Sequence, residues 1–174
     1  MASISFFDTC ALQHKYVDGP HSRRIRQIIG GVSRECFVAE WTVLEIASAF
    51  ANRCRAGNFQ IDVFDRWELK FYADIADRRL NVRPVSQRDV LKARQLIRFA
   101  GVLNRRNLAS GDALIASTCL ELALERRKTV TFYTSDWTLY TIVRDIDVFK
   151  FALRMVYVGA PKGGIPALSG RTRV

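Results

Sequence analysis

SISFFDT, residues 3–9, is the stretch on which the fold turns. Five uncharged residues, mostly apolar, lead into Asp8-Thr9, which is too short a run for a helix and fits a strand buried on both faces. Outward from it the same pattern returns as ECFVA (35–39), NVRPV (81–85) and TVTFYT (129–134), with residues 155–158 as a last short strand. Between these runs the apolar residues change to helical spacing. Ile25, Ile28 and Ile29 mark a helix over 21–29 that Gly30-Gly31 stops. Residues 42–55 carry a stripe of Leu44, Ala47, Ser48 and Ala51, with Gly57 as the C-cap. A longer amphipathic segment, 59–79, repeats Ile61, Phe64, Trp67, Phe71 and Ile75. Ser86 caps a helix whose apolar side is Val90, Ala93, Leu96 and Ile97, and Ser110 caps a strongly apolar one over 112–124. Strands that alternate with helices predict an α/β fold, a central mostly parallel sheet flanked by helices.

The chain of 174 residues is the size of one such domain. Its expected extent is residues 1–158, with a helical insertion about 58–80. A basic tail rich in Gly and Pro follows over 159–174 and is expected to be flexible. No apolar run approaches the ~18 residues that cross a bilayer, and the first residues lack the pattern of a secretory signal. Cytoplasmic residence without membrane association is the expectation.

Several chemistries are excluded by what the chain lacks. Cys10, Cys36, Cys54 and Cys119 are scattered, and His14 and His21 are the only histidines, which argues against structural zinc and imidazole catalysis. A haloacid-dehalogenase-type phosphotransferase needs a second aspartate two residues after the first, where this chain has Cys10. A phosphatase built on Cys10 needs an arginine six residues on, where Tyr16 stands.

Charge points the other way. With 27 Lys+Arg against 17 Asp+Glu the formal charge is +10, a field that attracts polyanions. Against that background the acids at element ends stand out. Asp8 and Asp136 end apolar strands, Glu45 lies in the helix after the second strand, and Asp112 opens the apolar helix. Ligands of parallel sheets sit beyond the carboxyl ends of the strands, where this topology gathers these acids. Crowded carboxylates raise one another's pKa, and a divalent cation relieves that repulsion. Singly each acid has a structural explanation: Asp8 as a turn residue, Glu45 at the positive end of its helix, Asp112 and Asp136 as caps.

Taken in order, FFDTCAL, WTVLEIASAF, SGDALIASTCLELA and FYTSDWTL resemble the PIN-domain nucleases, and within them the VapC-type toxin ribonucleases of type II toxin–antitoxin systems. The resemblance spans roughly residues 3–145 and implies a PIN-like three-layer α/β/α sandwich. It also implies a catalytic set of Asp8, Glu45, Asp112 and Asp136 using Mg²⁺ or Mn²⁺. Asp8 and Asp112 would be the metal ligands. Glu45 and Asp136 would bind through water or orient the attacking hydroxide, while Thr9 and Ser135 would hydrogen-bond carboxylates or phosphate. The implied activity is metal-dependent endoribonuclease cleavage, in a homodimer inhibited by a cognate antitoxin. The other readings are a housekeeping PIN nuclease without antitoxin and a non-catalytic PIN-like module that binds RNA or protein. Arg23, Arg24, Arg105 and Arg106 are candidates for RNA phosphates. Trp41, Trp67 and Trp137 have the chemistry to stack on bases, although aromatics at helical spacing are more often core.

Overall fold

The structure is a computed structural model and describes residues 3–159 except positions 32, 58, 104 and 105. Arg105 and all of the tail after Gly159 lie outside the described residues. The central strand is β1 (Ser3–Phe7), buried after its first residue. On one side it pairs with β2 (Arg34–Ala39), which pairs with β3 (Asn81–Arg83). On the other side it pairs with β4 (Val130–Thr134), and that strand with β5 (Leu153–Tyr157). The order is β3-β2-β1-β4-β5 and every pairing is parallel. The sheet is thus fully parallel rather than mostly so.

A two-residue period splits β1 between two cores. Ile4 and Phe6 face one, and Phe7 faces the other. In the register Phe6 aligns with Phe37 and Phe132, and its ring meets that of Phe132 edge-on with centroids 6.0 Å apart. This first core is closed by α5 (Gln87–Arg98), α6 (Ser110–Arg126), α7 (Trp137–Asp145) and α8 (Asp147–Ala152). On the opposite face Phe7 stacks on Tyr133 at 4.9 Å. That second core is covered by α1 (Thr9–Leu12), α2 (Ser22–Ile29), α3 (Glu40–Gly57) and α4 (Ile61–Ala76). The result is the α/β/α sandwich expected.

Four local expectations need correction. On α3 the buried face is Thr42, Ile46 and Phe50; Leu44 is 62% exposed, and Ser48 and Ala51 also face solvent. That helix begins two residues earlier than expected and includes Gly57. On α5 the buried positions are Asp89, Ala93 and Leu96, while Val90 and Ile97 are exposed. The carboxylate of Asp89 belongs inside because it completes the capping box with Ser86, accepting from the Ser86 N–H at 2.6 Å. Ser110 is not a cap: it is already helical, and Ala109 holds the cap position without a side chain to serve it. On α4 Ile61 is 72% exposed, so the apolar face starts at Phe64.

The α4 segment is bound into the second core by two devices. Phe71 is fully buried, and with Tyr16 and Phe50 it forms an edge-to-face aromatic cluster. Below that cluster, the buried Asp74 pairs with Lys15, accepts from the Tyr16 hydroxyl at 2.8 Å, and pairs with Arg79 at 2.8 Å. One carboxylate thereby ties α4 to the turn after α1.

Candidate functional site

Asp8 is the first residue beyond β1 and is fully buried. Its backbone does the turn's work: the N–H donates to the Tyr133 carbonyl at 3.0 Å, and its own carbonyl accepts from Ala11 and Leu12. Its side chain caps nothing, so a turn role does not account for the carboxylate. Oδ2 accepts from Thr134 Oγ1 at 2.7 Å and from Cys10 Sγ at 2.9 Å, whereas Oδ1 is buried with no partner among the described residues. Burial pushes this carboxyl up to about 6, the Glu45 charge adds to that, and the bonds from Cys10 and Thr134 restrain it. Burial, and then the adjacent Asp8, push the Cys10 thiol far up, so it remains a neutral donor.

Glu45 sits more than a turn inside α3, past the reach of the helix's positive end, where Glu40 already stands. A helix-end role therefore does not explain it. Two side chains fix its carboxylate: Thr9 Oγ1 donates to Oε2 at 2.7 Å, and Trp41 Nε1 donates to Oε1 at 2.8 Å. Close approach of α6 to α3 depends on Gly111, where a Cβ would lie 2.1 Å from Glu45 Oε1 and 2.8 Å from Trp41 Nε1.

Asp112 follows that glycine in the first turn of α6 and accepts no hydrogen bond among the described residues. Burial first, then the charges of Asp8, Asp136 and Glu45, push its carboxyl up to about 7. Asp112 thus stands within electrostatic reach of the other three acids. Asp136 divides its duties. Its Oδ1 caps α7 by accepting from the Leu139 N–H at 2.8 Å, and its own N–H donates to Thr134 Oγ1 at 3.0 Å.

The hydroxyl role assigned to Ser135 belongs to its neighbour. Thr134, fully buried at the end of β4, links Asp8 to the backbone of Asp136, while Ser135 is half-buried and makes no such bond among the described residues. Strand alternation turns Thr134 towards β1's end, a direction that reading T-S-D as a simple motif does not supply. Gly111 likewise went unread, although a glycine directly before an acid at a helix start is the available signal. Among the described residues no three His, Cys, Asp or Glu side chains converge as a ready-made cation cage. The bonds explain it: Glu45 is held by Thr9 and Trp41, and Asp136 is turned towards its cap.

Arg23 and Arg24 are exposed on α2 and form no ion pair with these acids. Arg106 is placed closer, its Nη1 donating at 2.7 Å to Thr141 on α7, the helix that Asp136 caps. Trp67 packs on Phe50 and Phe59, away from the acids. Of the described residues, no helix is long and apolar enough to cross a membrane.

No family model and no curated protein matches the chain. Solved structures do share its fold. The structure of VapBC2 from Rickettsia felis bound to a DNA fragment from their promoter aligns at TM-score 0.52 and 14% identity, covering 88% of this chain and 98% of that one. FitAB bound to an IR36 DNA fragment aligns at TM-score 0.53 and 17% identity, over 87% and 94% of the two chains. FitAcB from Neisseria gonorrhoeae aligns at TM-score 0.52 and 15% identity, over 86% and 95%. The all-parallel five-stranded sheet with helices on both faces is the fold that aligns with these neighbours.

Proposed function

We propose that the chain is a divalent-metal-dependent endoribonuclease, the toxin of a type II toxin–antitoxin pair. The observation that carries this reading is the buried Oδ1 of Asp8, without a partner among the described residues, within electrostatic reach of Asp112. A protein does not gain by crowding unpaired carboxylates, whereas an oxygen-ligated dication reverses the cost. The donor set, all oxygen and strongly acidic, fits Mg²⁺ or Mn²⁺ rather than a soft metal. Asp8 and Asp112 would hold the ion. When bound, it supplies charge neutralisation at the phosphoryl oxygens and acidifies water.

The remaining steps belong to the chain. Glu45, aligned by Thr9 and Trp41, orients the attacking water for in-line approach to phosphorus. Asp136, with one oxygen spent on the α7 cap, uses the other to hold water beside the leaving oxygen. Thr134 keeps Asp8 and Asp136 in register. Cleavage of this kind leaves a 5′-phosphate and a 3′-hydroxyl. The formal charge of +10 draws RNA to the surface, and Arg106 supplies a phosphate contact near the acids. The shared fold with VapBC2 and FitAB supports an antitoxin as partner; a homodimer is part of the proposal.

Cleavage of RNA in Mg²⁺ or Mn²⁺ by the wild type, beside Asp8→Asn and Asp112→Asn, tests the assignment. Metal-dependent cleavage lost in both variants is the expected result. Full activity in EDTA, or undiminished activity in both variants, refutes it.

A further inference from the structure

Two tryptophans flank the acids, and neither is fully buried. Trp41 is the second residue of α3, directly after β2, and Trp137 the first of α7, just after β4. The strands β2 and β4 are the two neighbours of β1, so their ends stand ~10 Å apart with Asp8 between them. Trp41 is 38% exposed as a residue although the one polar atom of its side chain is satisfied, Nε1 donating to Glu45 Oε1 at 2.8 Å. An exposed apolar ring pinned by its polar edge is already ordered, so stacking on it costs little further entropy.

The second indole is half-buried and belongs to a rigid aromatic group. It stacks on Tyr140 with centroids 5.5 Å apart and planes at 27°, and meets Tyr157 edge-on at 5.1 Å. Cations lie along the same helix, with Arg144 5.6 Å from the Tyr140 ring centroid and Arg106 bonded to Thr141. Trp67 differs in place: it lies in the middle of α4, packed among Phe50 and Phe59, and not at a strand end beside Asp8.

We propose that Trp41 and Trp137 are stacking positions for the unpaired nucleobases on either side of the phosphate held at the acids. This rests on the reading of the site as an RNA nuclease and adds to it a physical basis for choosing substrates. Every base offers a π-face, so the bracket tolerates sequence but requires bases free of a duplex. The acids then select a phosphate between two splayed bases, while the basic surface only concentrates the strand. Splaying the bases apart also opens the scissile linkage to approach from one side.

Binding separates this role from turnover. Fluorescence anisotropy is followed in the Asp8→Asn background without metal, using a hexamer of uridine and a hexamer of the same ribose-phosphate backbone without bases. The uridine hexamer is expected to bind ~10-fold or more tightly than the abasic one, and Trp41→Leu with Trp137→Leu to erase that difference. Circular dichroism verifies the fold of the variants. Should Trp137→Leu not fold, Trp41→Leu with the two hexamers decides: loss of part of the preference supports the bracket. Equal binding of the two hexamers by the parent overturns the bracket while leaving the nuclease reading intact, as does an unchanged preference in the variants. A parent that binds neither hexamer, and does not cleave RNA before Asp8 is replaced, overturns both.

Discussion

Thr134 Oγ1 donates to Asp8 Oδ2 at 2.7 Å, a bond between residues 126 positions apart in the chain. The same oxygen accepts from the N–H of Asp136 at 3.0 Å, so a single buried hydroxyl sets the spacing of two acids from two strands. Oδ2 is thus occupied, while Oδ1 of Asp8 has no partner among the described residues, and it is the oxygen the proposed metal would take.

Replacing Thr134 by Val removes both bonds while keeping the shape. The expected cost is ~1–3 kcal/mol of stability, since the Asp136 N–H and Asp8 Oδ2 lose a buried partner. RNA cleavage should fall more than tenfold, whereas Ser135→Ala should leave both quantities close to wild type. Denaturant melts and initial rates for the two variants check this pair, and equal losses at both positions would count against Thr134 as the spacer.

The raised carboxyls give stability a pH dependence of definite sign. The Asp8 carboxyl titrates near 3.9 in the unfolded chain and at about 6 in the folded one, so the folded state holds the proton more tightly. The stability conferred by that proton is complete below pH ~4 and is lost as pH rises to about 6, a swing of ~3 kcal/mol for this buried group. Asp112 extends the loss to about 7. Metal-free protein should therefore melt several degrees lower at pH 8 than this pair of groups would permit at pH 5. Added Mn²⁺ should raise the melting temperature more at pH 8 than at pH 5, because protons compete for the same oxygens. Asp8→Asn should remove most of the metal response and stabilise the metal-free form at pH 8. Thermal melts across pH with Mn²⁺ or EDTA measure all three effects.

Gly111→Ala separates function from folding. Alanine suits a helix better than glycine by ~1 kcal/mol, but its Cβ enters the space held by Glu45 Oε1 and Trp41 Nε1. The closest atom, Glu45 Oε1, ends a flexible side chain, so the fold survives while Glu45 moves and its bond from Trp41 is lost. The expected outcome is a melting temperature within a few degrees of wild type with kcat reduced at least tenfold. An unaltered kcat would show that the fixed position of Glu45 is not needed.

Asp74→Ala should do the opposite. Removing the carboxylate strands Lys15 and the Tyr16 hydroxyl, for a cost of ~3–5 kcal/mol. Cleavage per folded molecule, assayed at low temperature, should stay near wild type, because none of these groups bonds to Asp8, Glu45, Asp112 or Asp136 among the described residues.

Much of this architecture was legible in the residues. SISFF and TVTFYT announced buried strands because a strand covered on both faces needs no alternation, and the acids after them followed from the geometry of parallel sheets. Misreadings arose where a helix has more apolar residues than buried positions. On α3 and α5, Leu44, Val90 and Ile97 satisfy the helical period yet lie outside, and Asp89 lies inside with one oxygen engaged in the capping box. At the site the acids were readable as residue types in order. Their supports, Thr134, Trp41 and Gly111, were not, because each acts across elements far apart in sequence, through a bond or a clearance that spacing does not encode.

The position of β1 between β2 and β4 also governs when the site can exist during synthesis. The first three strands and Asp8, Glu45 and Asp112 precede β4 in the chain, but Thr134 and Asp136 arrive only with it. A growing polypeptide halted before that strand emerges from the ribosome has an open sheet edge and an unbraced aspartate. On the reading proposed above, cleavage of the RNA surrounding its own translation waits until β4 has emerged and docked, because only then is Asp8 braced and Asp136 in place.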